Sequence, residues 1–145
     1  MIVDLDVRYL VDNSVHQRLH QPAFWRALKV RADAEAYSAT MMCPPIALEY
    51  GYSARNPTTH ALVAETALTF AECPVAPTSA DALAIQHAVF ARYHRGVGAV
   101  DALIAAYAIA NDAIVLHYDR GFERIAECVP ELRHEWIVPP GSADR

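Results

Sequence analysis

Short apolar runs alternate along this chain with longer stretches whose apolar residues recur at helical spacing. Residues 7–12 (Val-Arg-Tyr-Leu-Val-Asp) read as a first strand that ends on an acid. Ser14 can cap a short helix directly after it. Pro22 suits the first turn of a helix through Phe24, Trp25, Leu28 and Val30. Residues 37–41 make a second strand. Pro44 and Pro45 open a helix carrying Ile46, Leu48, Glu49, Tyr50 and Tyr52. Asn56-Pro57 ends it and starts another, through Leu62, Val63, Leu68 and Phe70. Residues 73–77 form a short extended piece between prolines. Residues 78–93 read as a helix with Thr78 or Ser79 as cap and Asp81 in the first turn.

The stretch from Gly98 to Asp119 has a different pattern. Between Arg95 and Asp112 its only charged side chain, counting His as neutral, is Asp101. A helix apolar on nearly every face must be buried on nearly every face. Residues 113–116 then read as an equally buried strand. One carboxylate thus opens a buried helix, and another, Asp119, stands just past a buried strand. An isolated ionised carboxylate in such surroundings is costly and calls for a partner. Residues 122–128 read as a short amphipathic helix, residues 135–138 as a final edge strand, and residues 139–145 as a polar tail. Strands alternating with helices predict an α/β fold with a mostly parallel sheet, residues 1–138 forming a single domain.

Composition narrows the choices. A length of 145 residues suits one domain with a full hydrophobic core. Net charge is −5, from 12 basic and 17 acidic residues, which argues against a basic nucleic-acid binder held by phosphate contacts alone. It leaves open an enzyme whose acids are neutralised by bound metal. Cys43, Cys73 and Cys128 form no CxxC pair, so neither a disulfide framework nor a cysteine zinc site is expected. Met1 is followed by Asp4 and Asp6 rather than a basic start and an apolar run, so no signal peptide is expected. Asp101 and Asp112 bracket the longest apolar candidate for a membrane span. The simple expectation is a reduced, cytoplasmic protein with no membrane partner.

Parallel α/β sheets place their ligands beyond the carboxyl ends of the strands. Asp12 and Asp119 fall there, Asp101 lies in the first turn of the buried helix, and Glu49 lies on the helix after the second strand. If the four converge, they repel and raise one another's pKa values. A divalent cation resolves the conflict, and oxygen-only ligands suit Mg²⁺ or Mn²⁺ rather than zinc.

These blocks carry a family resemblance. The chain resembles PIN-domain ribonucleases, and most closely the VapC toxins of type II (VapBC) toxin–antitoxin pairs. The first block is Leu10-Val11-Asp12-Asn13-Ser14 and the second is Ala47-Leu48-Glu49-Tyr50-Gly51. The third is Val100-Asp101-Ala102-Leu103-Ile104, and the fourth is Leu116-His117-Tyr118-Asp119-Arg120-Gly121-Phe122. The chain departs from the pattern at two places: Gly121 stands where many relatives have a further Asp, and His117 where Thr or Ser is common.

The resemblance implies a three-layer PIN-like fold and a Mg²⁺- or Mn²⁺-dependent endoribonuclease that hydrolyses RNA phosphodiester bonds. It implies Asp12 and Asp101 as main metal ligands, completed by Glu49 and Asp119, all four forming the catalytic cluster. Asn13 or Ser14 could donate a hydrogen bond to a carboxylate or the scissile phosphate. It further implies a homodimer and a small VapB-like antitoxin, for which residues 46–52 and 62–70 offer apolar contacts.

Blander readings stand beside these. Asp12 could cap the next helix, Asp101 could serve the helix dipole, Glu49 could face solvent, and Asp119 could be a turn residue. His16 and His20, four apart, could ligate a metal but suit a structural role better without a third ligand. Arg92, Arg95, Arg120 and Arg124 could contact RNA phosphates or belong to a solvated face. Two rival functions remain: a PIN-fold module that binds RNA or a partner without cleaving, and an acid-site phosphotransfer domain. The second would want an acid where Ser14 stands or a lysine near the site, and the only lysine is Lys29.

Overall fold

The computed structural model describes residues 7–32, 39–94 and 96–143. Its core is a five-stranded sheet in the order β3-β2-β1-β4-β5, in which every pairing is parallel. The strands are β1 (Arg8–Val11), β2 (Ala39–Met42), β3 (Ala71–Glu72), β4 (Ile114–His117) and β5 (Arg133–Trp136). The helices are α1 (Asn13–His16), α2 (Pro22–Ala32), α3 (Pro44–Tyr52), α4 (Pro57–Ala67), α5 (Ser79–Arg92), α6 (Ala99–Ala110) and α7 (Arg120–Cys128).

The pleat sends alternate residues of the central strands into two cores. Leu10 of β1 and Val115 of β4, paired across the sheet, enter one core with Ile46, Val89, Ile104, Ala105 and Phe122. Val11 and Leu116, the next pair, enter the other with Val15, Phe24 and Ile137. The sheet therefore has helices on both faces, which makes three layers. The near-continuous apolar sequence of β4 follows from burial on both sides.

From β1 the chain first fills one side of the sheet, with β2 and β3, and later the other, with β4 and β5. The direction reverses between β1 and β4. A crevice opens at such a switch point, beyond the carboxyl ends of the two strands.

Several boundaries differ from expectation. Asp12, not Ser14, is the N-cap of α1, and its Oδ2 accepts from the Ser14 N–H at 3.0 Å. The second strand is Ala39–Met42; the expected residues 37 and 38 lie outside the described residues. Helix α4 stops at Ala67, so Leu68 and Phe70 lie in the connection to β3. That strand is Ala71–Glu72 rather than residues 73–77, because pairing with Met41 and Met42 ends before Pro74. The last strand begins at Arg133, two residues earlier than expected, in register with Ile114 of β4. Its charged side chains hide it from an apolar pattern, and they suit an edge strand. Helix α7 starts at Arg120, capped by Asp119.

Helix α6 buries Ala102, Ile104, Ala105, Ala106 and Ala108, but Val100 in its first turn is exposed. The small alanines let this helix lie close to its neighbours. It ends with Asp112 at φ 51°. The Ala113 N–H reaches the Ala108 carbonyl at 2.8 Å, and the Asp112 N–H reaches Ile109 at 3.3 Å. This is a Schellman ending with Asp where glycine is commonest. No helix among the described residues is long and apolar enough to cross a membrane.

Candidate functional site

Four elements bring the predicted acids to the switch point. Asp12 follows β1, and its backbone N–H still belongs to the sheet, donating to Leu116 at 2.9 Å. Its side chain is buried, and the α1 turn that it caps holds it there. Asp101 stands in the first turn of α6. Asp119 caps α7, and its Oδ1 accepts from the Gly121 N–H at 2.9 Å. Glu49 projects from the middle of α3, partly exposed.

Electrostatics ties the four together. Burial pushes the Asp101 carboxyl up to about 7, helped by the negative charges of Asp119, Asp12 and Glu49. Glu49 is raised by burial and then by Asp12 and Asp119. Asp12 is raised by burial and by Asp119, against hydrogen bonds from Ser14 and Asn13. Asp101 feels the other three, Glu49 feels Asp12 and Asp119, and Asp12 feels Asp119, as neighbouring like charges must. Among the described residues, the ion pairs within 4.0 Å are Arg31–Glu135, Arg92–Glu127 and Arg133–Asp112, and none reaches the four acids.

The donor set fits a hard cation. It is all oxygen and has no basic partner within 4.0 Å among the described residues, and burial with like charge raises Asp12, Glu49 and Asp101, a state that a cation would relieve. The Oδ1 of Asn13, next to Asp12, is also buried without a hydrogen-bond partner. As the side chains stand, no three His, Cys, Asp or Glu groups among the described residues close into a ligand cage. Mutual repulsion of uncompensated carboxylates opposes such closure.

Ser14 serves as a brace here. Its Oγ accepts from the Tyr118 N–H at 2.9 Å, which ties the start of α1 to the segment between β4 and Asp119. His117 braces the same segment from below. It is fully buried, and its Nδ1 accepts from the Asp119 N–H at 3.1 Å. A backbone N–H can only donate, so Nδ1 carries no proton. The proton must sit on Nε2, which faces Nδ1 of His134 at 2.8 Å. Burial, and then His134, depress His117 to about 3, so the His117 ring is neutral. His117 thus supports Asp119 from beneath, and its ring packs on Phe122 and Trp136.

The other candidates separate. His16 ends α1 and is buried against Tyr50, ring centroids 5.0 Å apart, while His20 lies exposed beyond the helix. The two cannot share a helix face, and burial lowers His16 to about 4. Arg92 pairs with Glu127, and both Arg92 and Arg124 lie over Tyr93. Arg95 lies outside the described residues. Arg120 lines a pocket beside Asp119, together with Arg18, a residue absent from the sequence candidates. Nothing local marks Arg18, because its neighbours in the pocket come from the segment after β4, the start of α7, β5 and the C-terminal segment.

A parallel sheet with acids gathered over its switch point defines an acid-site α/β domain. The PIN domain family model matches residues 9–127, and the chain belongs to the PIN domain family. It is 41% identical over 140 residues to Ribonuclease VapC51 of Mycobacterium tuberculosis, covering 95% of this chain and 98% of that protein. It is 34% identical over 143 residues to Ribonuclease VapC21 of the same species, covering 96% and 100%. In fold it is similar to a chain of the VapBC-1 structure from nontypeable Haemophilus influenzae, with TM-score 0.68, 14% identity, and 90% and 98% of the two chains covered. The VapBC2 structure from Rickettsia felis, bound to a promoter DNA fragment, gives TM-score 0.62 at 17% identity, with coverage of 89% and 98%.

Proposed function

We propose that this chain is a divalent-metal-dependent endoribonuclease, the toxin of a VapBC-type pair. The observation that carries the reading is the state of Asp101. It is held in the first turn of α6 and pushed up to about 7 by burial and by three other acids. Such an arrangement is costly for folding and suits the binding of a cation. Kinship with proteins named VapC ribonucleases, along almost the whole chain, supports the same reading.

Asp12, the most buried of the four, and Asp101 would be the main ligands of a Mg²⁺ or Mn²⁺ ion. When bound, the ion supplies Lewis acidity toward a phosphate oxygen and acidifies water at the site. Glu49 is more open to solvent and lies on a separate helix, so it suits orienting the attacking water and accepting its proton. Asp119, held by the Gly121 N–H and by His117, closes the cluster at the far side. Water attacks phosphorus in line with the departing 3′-oxygen, and the strand is cut between nucleotides.

The antitoxin reading draws on the apolar surface near the site. Leu48 and Tyr52 of α3, Leu62 of α4, and Leu68 just beyond it are all exposed. They offer apolar contacts to a segment of a partner. A homodimer and a cytoplasmic location belong to the same proposal.

Cleavage of purified total RNA in magnesium, repeated in EDTA and with Asp12→Ala and Asp101→Ala, tests it. The wild type should cut only with metal, and both variants should lose cutting. Equal cleavage by all three proteins would remove these residues from the site. No cleavage by pure, antitoxin-free protein would favour a binding module.

A further inference from the structure

The acid cluster has two flanks of different chemistry. On the α3 and α6 side, Pro45, Leu48, Tyr52, Val100 and Leu103 line an apolar hollow that includes Glu49. On the α7 side lies a pocket of about 370 Å³ that includes Asp119 and is walled by Arg18, Tyr118, Arg120 and Trp136. A polyanionic strand entering the site must leave along one flank. Phosphates are repelled by bare acids and gain nothing from an apolar wall, so the arginine flank is favoured.

We propose that the pocket between Arg18, Tyr118, Asp119, Arg120 and Trp136 is a substrate subsite. It holds the phosphate next to the scissile one, with its base, in a single strand of RNA. The inference rests on the nuclease reading of the four acids. It adds the path of the strand and two phosphate-binding side chains.

Arg18 is set in place before any ligand arrives. Its guanidinium lies over the Tyr118 ring, 5.1 Å from the centroid, and Nη1 donates to the Ser14 carbonyl at 2.8 Å. Its other donors have no partner among the described residues, and they point from a rigid mount. Preorganisation of this kind reduces the entropy lost on binding. Arg120 is exposed at the start of α7, next in sequence to Asp119. Among the described residues neither arginine lies within 4.0 Å of a carboxylate. Two unpaired guanidiniums beside one reactive acid are unusual in a chain of net charge −5.

Trp136 supplies a surface for a base. Its indole Nε1 donates to Glu123 at 2.9 Å, and its ring is backed by His117 and by the edge of Tyr118. Base stacking on a fixed aromatic tolerates any sequence, as an RNA strand path requires. Pro140 and Gly141 complete the rim. They are kept there by the Ala143 N–H, which donates to the Tyr118 hydroxyl at 3.2 Å. Residues just past β5 are thus part of the pocket.

The test is fluorescence anisotropy of a labelled single-stranded RNA decamer in magnesium, in an Asp101→Asn background where hydrolysis is off. Arg18→Gln and Arg120→Gln should each weaken binding by about fivefold or more. Each should also flatten the salt dependence by about 0.7 for every phosphate no longer neutralised. Arg133→Gln makes the same charge change at the opposite end of the sheet, and should leave binding within about twofold of the parent. Arg120 is exposed and its side chain makes no hydrogen bond, ion pair or ring contact among the described residues, so its variant answers even if Arg18→Gln proves unstable. Unchanged RNA binding by Arg120→Gln would overturn the proposal. So would equal losses in all three variants, which would mean general charge rather than a site, or a parent that binds no RNA. The assay needs no cleavage: weakened binding by the two arginine variants, beside a wild-type protein that never cuts RNA, would keep the pocket as an RNA-binding site and remove the nuclease reading.

Discussion

A β-carbon built on Gly121 would stand 3.0 Å from Oδ2 of Asp101, and 3.4 Å from Oδ1 of Asp119. The absence of a side chain at Gly121 is what lets the start of α7 close over the start of α6. The position needs space rather than unusual backbone angles. A larger residue must push Asp101 aside or lift the turn that holds Asp119. Gly121→Ala is expected to keep the fold and to slow magnesium-supported RNA cleavage about tenfold, since sub-ångström shifts of reacting groups are costly. It should also raise the magnesium needed. Cleavage rates across a magnesium titration check this. An unchanged titration would show that the spacing of Asp101 and Gly121 is not critical.

The raised carboxyl of Asp101 sets a pH signature in metal-free protein. Its folded value, about 7, lies above its ordinary value of 3.8. Between these the folded state holds more protons than the unfolded chain, so this contribution to stability falls as pH rises. Asp12 and Glu49 are shifted in the same direction. The buried histidines act oppositely: His16, lowered to about 4, and His117, lowered to about 3, favour folding as pH rises toward 6.5. The two trends overlap, so the comparison with Asp101→Asn isolates the acid. In EDTA the variant should gain thermal stability over wild type as pH climbs from about 4 to about 7, and magnesium should shrink the gap. A gap that does not change with pH would contradict the burial argument.

His117 is expected to act through an acceptor atom rather than through charge. His117→Leu leaves the Asp119 N–H without its partner in a buried setting, at a cost of about 1–3 kcal/mol. His117→Asn places a carbonyl oxygen near the lost Nδ1 and should recover much of both stability and cleavage. Melting curves and cleavage rates of the two variants check this. Equal damage from Leu and Asn would mean that ring packing on Phe122 and Trp136 matters more than the hydrogen bond.

Asn111 fastens the chain after β3 to the end of α6. Its buried side chain accepts from the Val75 N–H at 2.9 Å and donates to the Val75 and Tyr107 carbonyls at 2.8 Å each. Asn111→Ala should cost about 1–2 kcal/mol in denaturant unfolding. RNA cleavage in native conditions should change little, because this end of α6 is remote from Asp101. A large loss of cleavage without a loss of stability would contradict that separation.

Asp112, at φ 51°, occupies a backbone region that L-residues adopt at a cost. Asp112→Gly removes that cost but also removes the carboxylate paired with Arg133 at 2.8 Å. The pair is largely exposed and therefore weak. A net gain of about 0.5 kcal/mol is expected in denaturant unfolding. A net loss would show that the pair with Arg133 matters more than the backbone.

The class of fold, the position of α6 and β4, and the four acids are all legible in the chain, because each is written locally. Burial on both faces of a sheet leaves an apolar run, helix starts leave Pro, Asn or Thr at fixed offsets, and an acid at a strand end is visible where it stands. Local signals fail where pairing sets the boundary. Strand β5 is charged and so escapes an apolar pattern at its start, and β3 is only Ala71–Glu72. Which side chains meet is a matter of the folded arrangement alone. The strand order sets Asp12 beside Asp119 across a long stretch of sequence. Folding of β5 against β4 puts His134 on His117 and so fixes its tautomer. The same packing sets Arg18 over Tyr118, next to Arg120 and Trp136. Sequence periodicity records which face of an element is buried, but the partner across the interface is chosen by topology and close packing, which no local window contains.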